Sequence, residues 1–215
     1  MPCIPPKTVI LHPMLDNRGR SGNVVLPMRV TGGIIGGREI RVPKKEVRPT
    51  QDKVRAALFS SLGAKVAGAR VLDVFAGSGA LGLEAWSRGA SLVCWVEGSK
   101  PVFRILRENI AALCAAPGGE TRAVLQDAVR FLQSGWQGAP FDLILADPPY
   151  DREGKHRWLE NALLALEANP ILAPDGVFAF ELSASEPAVQ RPGWVLLKDR
   201  KYGETQLLLY ARASR

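Results

Sequence analysis

The residues Asp147-Pro148-Pro149-Tyr150 carry the clearest chemical signal in the chain. They follow the apolar run 141–146, which predicts a buried strand. The two prolines fix the backbone and lack N–H groups, so nearby carbonyls stay free to accept hydrogen bonds. An ionised Asp147 accepts hydrogen bonds, and Tyr150 offers an aromatic face to a planar ring. These groups suit the exocyclic amino group of a nucleobase, although a strand followed by a proline-rich turn explains the tetrapeptide equally well.

A glycine motif, Gly77-Ser78-Gly79-Ala80-Leu81-Gly82, lies between a predicted strand and a predicted helix. Glycines let a ligand approach the backbone, and the start of the helix presents free N–H groups. The Gly-x-Gly-x-x-Gly spacing also matches the dinucleotide fingerprint, and Glu97 ends the second strand where an acid binds ribose hydroxyls. The motif alone therefore fits a tight turn, a nicotinamide cofactor or S-adenosylmethionine.

Two features favour S-adenosylmethionine over a nicotinamide cofactor. Asp73, inside the first predicted strand, would repel a pyrophosphate but suits the amino end of a methionine group. The pocket at Asp147 has no use in a hydride-transfer enzyme. Asp127 follows the third predicted strand, where it either accepts a hydrogen bond from the adenine amino group or caps the next helix.

The charge of the chain is positive and unevenly distributed. The net charge is +7, and residues 29–55 hold eight basic against three acidic residues, which leaves five of that charge in one stretch. A basic cluster of this kind favours an anionic partner, nucleic acid first. We therefore expect residues 28–55 to grip RNA phosphates, with the contacts assigned to a set of basic side chains: Arg38, Arg41, Lys44, Lys45 and Arg48.

The elements that position these residues follow from the apolar pattern. Residues 1–27 lack periodicity and predict a disordered tail, and residues 28–42 predict a glycine-rich hairpin. Thr50 predicts the N-cap of a helix that ends at Gly63, with Arg55 off its apolar face. From residue 70 strands and helices alternate: strands at 71–75, 92–96, 123–125, 143–146 and 177–180, and helices at 80–87, 101–113, 128–133 and 157–166. This alternation predicts a parallel sheet with helices on both faces, and a final hairpin about Tyr202-Gly203 adds an antiparallel strand.

The length and composition are enough for one full core, with room for a small appendage. The chain has 215 residues, 47% of them hydrophobic, and no apolar run approaches membrane-spanning length. Three widely spaced cysteines indicate neither a disulfide framework nor a metal cluster, so ordinary packing accounts for them. The start of the chain lacks the apolar stretch of a signal peptide. We expect a cytoplasmic protein.

Taken together, the motifs resemble a known family. The segments Asp73–Gly79 and Asp147–Tyr150 are similar to those of class I S-adenosylmethionine-dependent amino-methyltransferases. The segments 28–33, 48–55, 58–59 and 201–205 narrow the resemblance to the enzymes that methylate guanine N2 in 16S ribosomal RNA. The resemblance covers residues 28–212 and implies a Rossmann-like, seven-stranded, mostly parallel sheet with an N-terminal hairpin. The tail at 1–27 lies outside the resemblance; for the rest of the chain we expect an RNA-contacting hairpin extension at 28–47 and a methyltransferase domain at 48–215.

The same resemblance implies a role for each matching position. Asp147, Pro148, Pro149 and Tyr150 would hold the target base. The cofactor would contact one further set of residues: Thr50, Asp73, Phe75, Gly77, Ser78, Gly79, Glu97, Asp127 and Ala128. The family often has a second acid two residues after the ribose-binding one, but here the run is Glu97-Gly98-Ser99, so ribose binding rests more heavily on Glu97. We expect a monomer whose partner is 16S RNA, within the 30S subunit or its precursor.

Other functions share part of this pattern. The same chemistry could act on DNA adenine N6, DNA cytosine N4 or a protein glutamine. The basic N-terminal stretch disfavours a protein substrate but does not separate RNA from DNA. A nicotinamide-dependent oxidoreductase would use the glycine motif alone. A nucleic-acid-binding module with an inactive core is disfavoured by the intact acids Asp73, Glu97 and Asp147.

Overall fold

A computed structural model describes residues 28–43, 51–115, 117–134, 136–151 and 154–213. Within these ranges the chain forms five α-helices, one short 3-10 helix and seven strands. The helices are α1 (Gln51–Leu62), α2 (Ala80–Ser87), α3 (Lys100–Leu113), α4 (Ala128–Ser134) and α5 (Trp158–Ala168), with the 3-10 helix at Gly63–Lys65. The strands are β1 (Arg70–Val74), β2 (Leu92–Glu97), β3 (Glu120–Leu125), β4 (Phe141–Ala146), β5 (Leu172–Ser183), β6 (Trp194–Tyr202) and β7 (Thr205–Arg212).

All seven strands belong to one sheet, in the order β3-β2-β1-β4-β5-β7-β6. The first five are parallel, whereas β7 runs antiparallel to both β5 and β6. The strand order reverses between β1 and β4, and in sheets of this kind ligands bind at the carboxyl ends of the strands beside such a reversal. The predicted α/β fold, the mostly parallel sheet and the terminal hairpin are confirmed.

Each face of the sheet has its own apolar core, because successive side chains of a strand point to opposite faces. Val71 and Leu143 pack on one side with apolar residues of α1, α2, α3 and the N-terminal hairpin. Leu72 and Ile144 pack on the other side with residues of α4 and α5. Central strands covered on both faces are mostly apolar, with few interruptions such as Asp73 and Asp142, which is why β1, β2 and β4 were recognisable in the sequence.

The predicted N-terminal hairpin is present, with a single antiparallel bridge between Arg29 and Glu39. Its stability comes from the rest of the domain more than from its own pairing. Val30 and Ile40 are buried, and the N–H of Ile34 donates to the carbonyl of Ser87 at the end of α2 at 2.8 Å. The turn is therefore fixed against α2.

The sequence expectation for Arg55 is wrong. Helical spacing placed it away from the apolar face of α1, but it is 3% exposed. Its guanidinium is buried because acidic partners surround it, with Nη2 2.8 Å from Asp52 Oδ1 and Nε 3.5 Å from Glu84 Oε2. Burial of a charge is tolerated when it is paired. The N-cap expected at Thr50 and the tail at 1–27 lie outside the described residues.

No helix in the described part of the chain is both long enough and apolar enough to cross a bilayer.

Candidate functional site

A cavity of about 490 Å³ opens at the carboxyl ends of β1, β2, β4 and β5. It lies where the strand order reverses, so the turns that follow several strands converge on it. The four predicted residues of the base pocket line this cavity: Asp147, Pro148, Pro149 and Tyr150. Of the predicted cofactor contacts, the described residues that line it are Asp73, Phe75, Gly77, Ser78, Glu97, Asp127 and Ala128. The structure therefore brings the two predicted halves of the site into one space.

The turn after β1 needs glycine for two different reasons. Gly77 and Gly79 have positive φ angles of 54° and 89°, which side chains rarely adopt. Gly82 instead provides close packing, because a Cβ there would lie 2.1 Å from Nε1 of the buried Trp95. Gly79 shapes the turn but does not line the cavity. Phe75 also has a positive φ, 61°, which is rare for a bulky residue, and such strained residues cluster at functional sites.

Asp73 lies beneath this turn and is 1% exposed. Its Oδ2 accepts a hydrogen bond from the N–H of Gly82 at 2.8 Å, which joins β1 to the start of α2. Burial raises the pKa of Asp73 well above its ordinary value, and the charges of Asp147 and Glu97 raise it further against the lowering effect of the Gly82 hydrogen bond. A ligand cation at this position would relieve that unfavourable burial.

Glu97 links the glycine turn to the start of α3. Its Oε2 accepts a hydrogen bond from Gly77 N at 2.9 Å, and its Oε1 accepts one from Ser99 N at 2.6 Å. A carboxylate offers about four lone-pair positions, so further donors can still be accepted. Asp127 accepts a hydrogen bond from Arg130 N at 2.9 Å and so caps α4, which is the structural role proposed for it from the sequence. It lines the cavity as well.

The predicted base pocket, residues 147–150, is held by contacts of Tyr150 and of the residue that follows it. The hydroxyl of Tyr150 is 2.7 Å from Oγ1 of Thr205, which fastens the ring to β7. The next residue, Asp151, accepts hydrogen bonds from three backbone N–H groups: Lys155 at 2.9 Å, His156 at 2.6 Å and Arg157 at 2.8 Å. Burial alone would raise the pKa of Asp151, but these hydrogen bonds outweigh it and hold the pKa below its ordinary value. The carboxylate thus holds the backbone of residues 155–157 next to the tetrapeptide.

An aromatic wall, which the sequence analysis missed, closes one side of the cavity. Trp158, the first residue of α5, lines the cavity and meets Phe75 edge to face, with ring centroids 5.2 Å apart. His156 stacks on Trp158 at 4.4 Å with an interplanar angle of 4°. Trp158 stands among polar residues in the sequence, so no local pattern pointed to it. Apolar walls with a few fixed polar groups are typical of small-molecule sites.

The charge of the lining is strongly negative. Five carboxylates face the cavity: Asp73, Glu97, Asp127, Asp147 and Glu181. Arg55 is the one cation among the described lining residues. Two of these charged groups were missed in the sequence. Glu181 follows the apolar run of β5 directly, and an acid in that position at a parallel strand end is a signal that could have identified it. The cavity suits a ligand that carries positive charge and several hydrogen-bond donors.

The two described residues of the predicted RNA-binding set lie outside this cavity. Arg38 and Arg41 are exposed on the hairpin. Arg41 forms an ion pair with Glu108 of α3 at 3.2 Å. The remaining members of the set, Lys44, Lys45 and Arg48, lie outside the described residues. The predicted cofactor contact Thr50 lies outside them as well.

Comparison with known proteins gives consistent matches. A family model described as "Conserved hypothetical protein 95" matches residues 28–211. Ribosomal RNA small subunit methyltransferase D of Escherichia coli (strain K12) is 35% identical over 198 residues, which are 91% of this chain and 93% of that protein. The protein of the same name from Haemophilus influenzae is 32% identical, over 85% of this chain and 93% of that protein.

Solved structures give the same result. The Escherichia coli protein yhhF has a TM-score of 0.74 at 36% identity, and the match covers 88% of this chain and 99% of that chain. A ribosomal protein L11 methylase from Lactobacillus delbrueckii subsp. bulgaricus has a TM-score of 0.57 at 20% identity, over 76% of this chain and 80% of that chain. At that identity the likeness concerns the fold alone.

Proposed function

Because the chain belongs to the ribosomal RNA small subunit methyltransferase D family, we propose that it methylates the exocyclic N2 amino group of one guanine in 16S ribosomal RNA. The family and the methyltransferase class predicted from the sequence are confirmed by these relatives. We further propose that S-adenosylmethionine is the methyl donor, and that the residues lining the cavity hold it beside the target base.

The observation that carries this proposal is the charge of the cavity. S-Adenosylmethionine brings a sulfonium and an ammonium group, and it supplies an electrophilic methyl carbon when bound. Five carboxylates against one guanidinium form a lining that fits such a cation. The buried Asp73 is placed to receive the ammonium, Glu97 to accept from the ribose hydroxyls, and Asp127 to accept from the adenine amino group.

The same charges disfavour the nicotinamide alternative. A dinucleotide carries a pyrophosphate, which would enter a cavity already lined with carboxylates at Asp73, Glu97 and Asp127. Like charges in a cavity of low dielectric repel strongly. Further, the first-strand acid Asp73 accepts the N–H of Gly82, a backbone donor near the start of α2. A phosphate at this helix would lose that donor.

Asp147 and the Pro148 carbonyl are proposed to prepare the target amino group. An aryl amine is a poor nucleophile because its lone pair is delocalised into the ring. Two acceptors that take both of its N–H groups favour a tetrahedral nitrogen and stabilise the positive charge that develops as it is methylated. An aspartate with an ordinary pKa near 4 is a weak base, so we assign proton loss after the transfer to water.

Tyr150 is proposed to stack on the guanine. Its ring is fixed by the hydrogen bond to Thr205, so the stacking surface exists before the base arrives. A base read in this way has to leave its own helix or loop. We assign 16S RNA within the 30S subunit or its precursor as the substrate, and we propose that the protein acts as a monomer with the 28–47 segment as an RNA-contacting extension of the 48–215 catalytic domain.

Asp147→Ala tests the role of the pocket. The variant should fold and bind S-adenosylmethionine like the wild type in calorimetry. Its single-turnover rate of methyl transfer should fall by about 10²–10³-fold, the usual cost of removing one preorganised polar group at the reacting centre. Asp175→Ala is a matched control, because Asp175 is exposed in the first half of β5, away from the cavity. Near-normal turnover in Asp147→Ala would refute the amino-polarising role.

A further inference from the structure

The structure changes which basic residues are available to RNA. The sequence placed the contact on residues 28–55 because their charge is high. Several of those charges are already paired: Arg29 with Glu39 at 3.7 Å, and Arg41 with Glu108 at 3.2 Å. Arg55 is buried between acidic partners. Two of these partners, Glu84 and Glu108, lie outside the stretch, so they reduce its positive field below the value that its own composition gives.

A second basic surface lies on α3. Lys100, Arg104 and Arg107 follow each other at helical spacings of four and three residues, which places them in one row. All three are exposed, and none of them forms an ion pair with another residue in the described part of the chain. With Phe103, Ala111 and Glu108 they line a shallow groove of about 380 Å³, in which the carboxylate of Glu108 is paired with Arg41. We name this row of three side chains the α3 basic row.

The α3 basic row connects the cavity to the hairpin. Its first member, Lys100, directly follows Ser99, which lines the cavity. Near its other end the buried Asn109 donates hydrogen bonds to the carbonyls of Arg41 and Ser78 and accepts one from Arg41 N. One side chain thereby fixes α3 to both the hairpin and the glycine turn.

We propose that the α3 basic row binds the phosphates of the RNA strand that delivers the target base to the cavity. This inference rests on the proposed function and names the surface that positions its substrate. At 1.5 Å per residue the row spans roughly 10 Å, and stacked strands present a phosphate about every 3.4 Å along their axis, so roughly three phosphates can be faced. Charge complementarity makes a nucleic-acid backbone the fitting partner.

The test is a salt titration of RNA binding. Affinity for RNA falls as salt rises, so the slope of log affinity against log salt is negative. Replacing Lys100, Arg104 and Arg107 together with Gln should make this slope shallower by roughly 2, since each single-strand phosphate contributes about 0.7. When salt rises from about 50 to 200 mM, the affinity of the triple variant for RNA should therefore fall by a factor roughly twentyfold smaller than the factor by which wild-type affinity falls. S-Adenosylmethionine affinity should not change, because none of the three side chains lines the cavity.

Single substitutions supply the matched control. Arg107→Gln should make the salt slope shallower by about 0.7. Lys65→Gln removes one exposed charge from the 3-10 helix that precedes β1, outside the α3 basic row, and should leave the slope unchanged. Equal slopes for the wild type and the triple variant would overturn the proposal. A triple variant that loses affinity for 30S particles but not for RNA would overturn it too, because the α3 basic row would then bind a ribosomal protein. A wild type that transfers no methyl group but shows the predicted slopes would refute the proposed function and leave the RNA surface standing.

Discussion

The buried carboxylate of Glu84 is expected to hold the N-terminal hairpin on the catalytic domain. Glu84 lies in α2 and is fully buried. Its two oxygens accept hydrogen bonds from Thr31 N and Thr31 Oγ1, both at 2.7 Å, and from Arg88 Nε at 2.8 Å. The guanidinium of Arg55 lies 3.5 Å away. One side chain therefore joins the hairpin, α1 and α2.

Glu84→Gln preserves the shape of this side chain and removes its charge. The new NH₂ group cannot accept, so at least one donor of a partly buried hydrogen bond loses its partner, which costs about 1–3 kcal/mol. Arg55 also loses a buried counter-charge, and breaking a buried pair from one side costs about 3–5 kcal/mol in total. We expect the free energy of unfolding to fall by about 3–5 kcal/mol. For a chain of this length that lowers the melting temperature by roughly 6–20 °C.

Urea unfolding followed by tryptophan fluorescence measures this loss. Glu120→Gln is the matched control, because Glu120 forms an ion pair with Arg122 at 2.7 Å but both side chains are about half exposed. Exposed pairs contribute about 0–1 kcal/mol, so the control should stay within 1 kcal/mol of the wild type. If Glu84→Gln were no more destabilising than this control, the Glu84 network would not be what secures the hairpin.

Two further substitutions test the packing and the charge of the cavity. Gly82→Ala would place a Cβ 2.1 Å from Trp95 Nε1, so we expect the free energy of unfolding in urea to fall by about 1–3 kcal/mol. Unchanged stability would show that the turn has room to move. Asp73→Asn should melt at a higher temperature than the wild type at neutral pH and lose affinity for S-adenosylmethionine in calorimetry. Burial raises the pKa of Asp73 in the folded state, so the native protein binds the proton of this carboxyl group more tightly than the unfolded chain does. The contribution of Asp73 to the free energy of unfolding is therefore largest below about pH 4 and is lost as the pH rises. Stability curves against pH that coincide for the wild type and Asp73→Asn would contradict this account.

Most of the fold was predictable because its central strands are mostly apolar. The predicted strand 92–96 and helix 80–87 agree with β2 and α2 to within one residue. The edge strand β3 begins at Glu120, three residues before the prediction, since its polar side chains give no apolar signal and its pairing with β2 sets its length. The start of β5 was missed because Pro174 and Gly176 indicate a turn.

The site was predictable where its residues follow strands directly. Asp147 and Glu97 were located in this way, because the carboxyl ends of parallel strands meet at one edge of the sheet. Arg55 could not be located, since its burial depends on Glu84, 29 positions further along the chain on another helix. Trp158 was missed for a similar reason, because its role depends on contact with Phe75 across the cavity.

Analysis of the methylated nucleoside tests the central claim most directly. The protein would be incubated with S-adenosylmethionine carrying a tritiated methyl group and with 16S RNA, free and within 30S particles that lack the modification. The RNA would then be digested to nucleosides and separated. We predict that the label appears in N2-methylguanosine and that 30S particles or their precursors accept the methyl group. The Asp147→Ala variant should transfer no label on the same timescale. Label in a methylated adenosine or cytidine, or no transfer to either form of the RNA, would contradict the account.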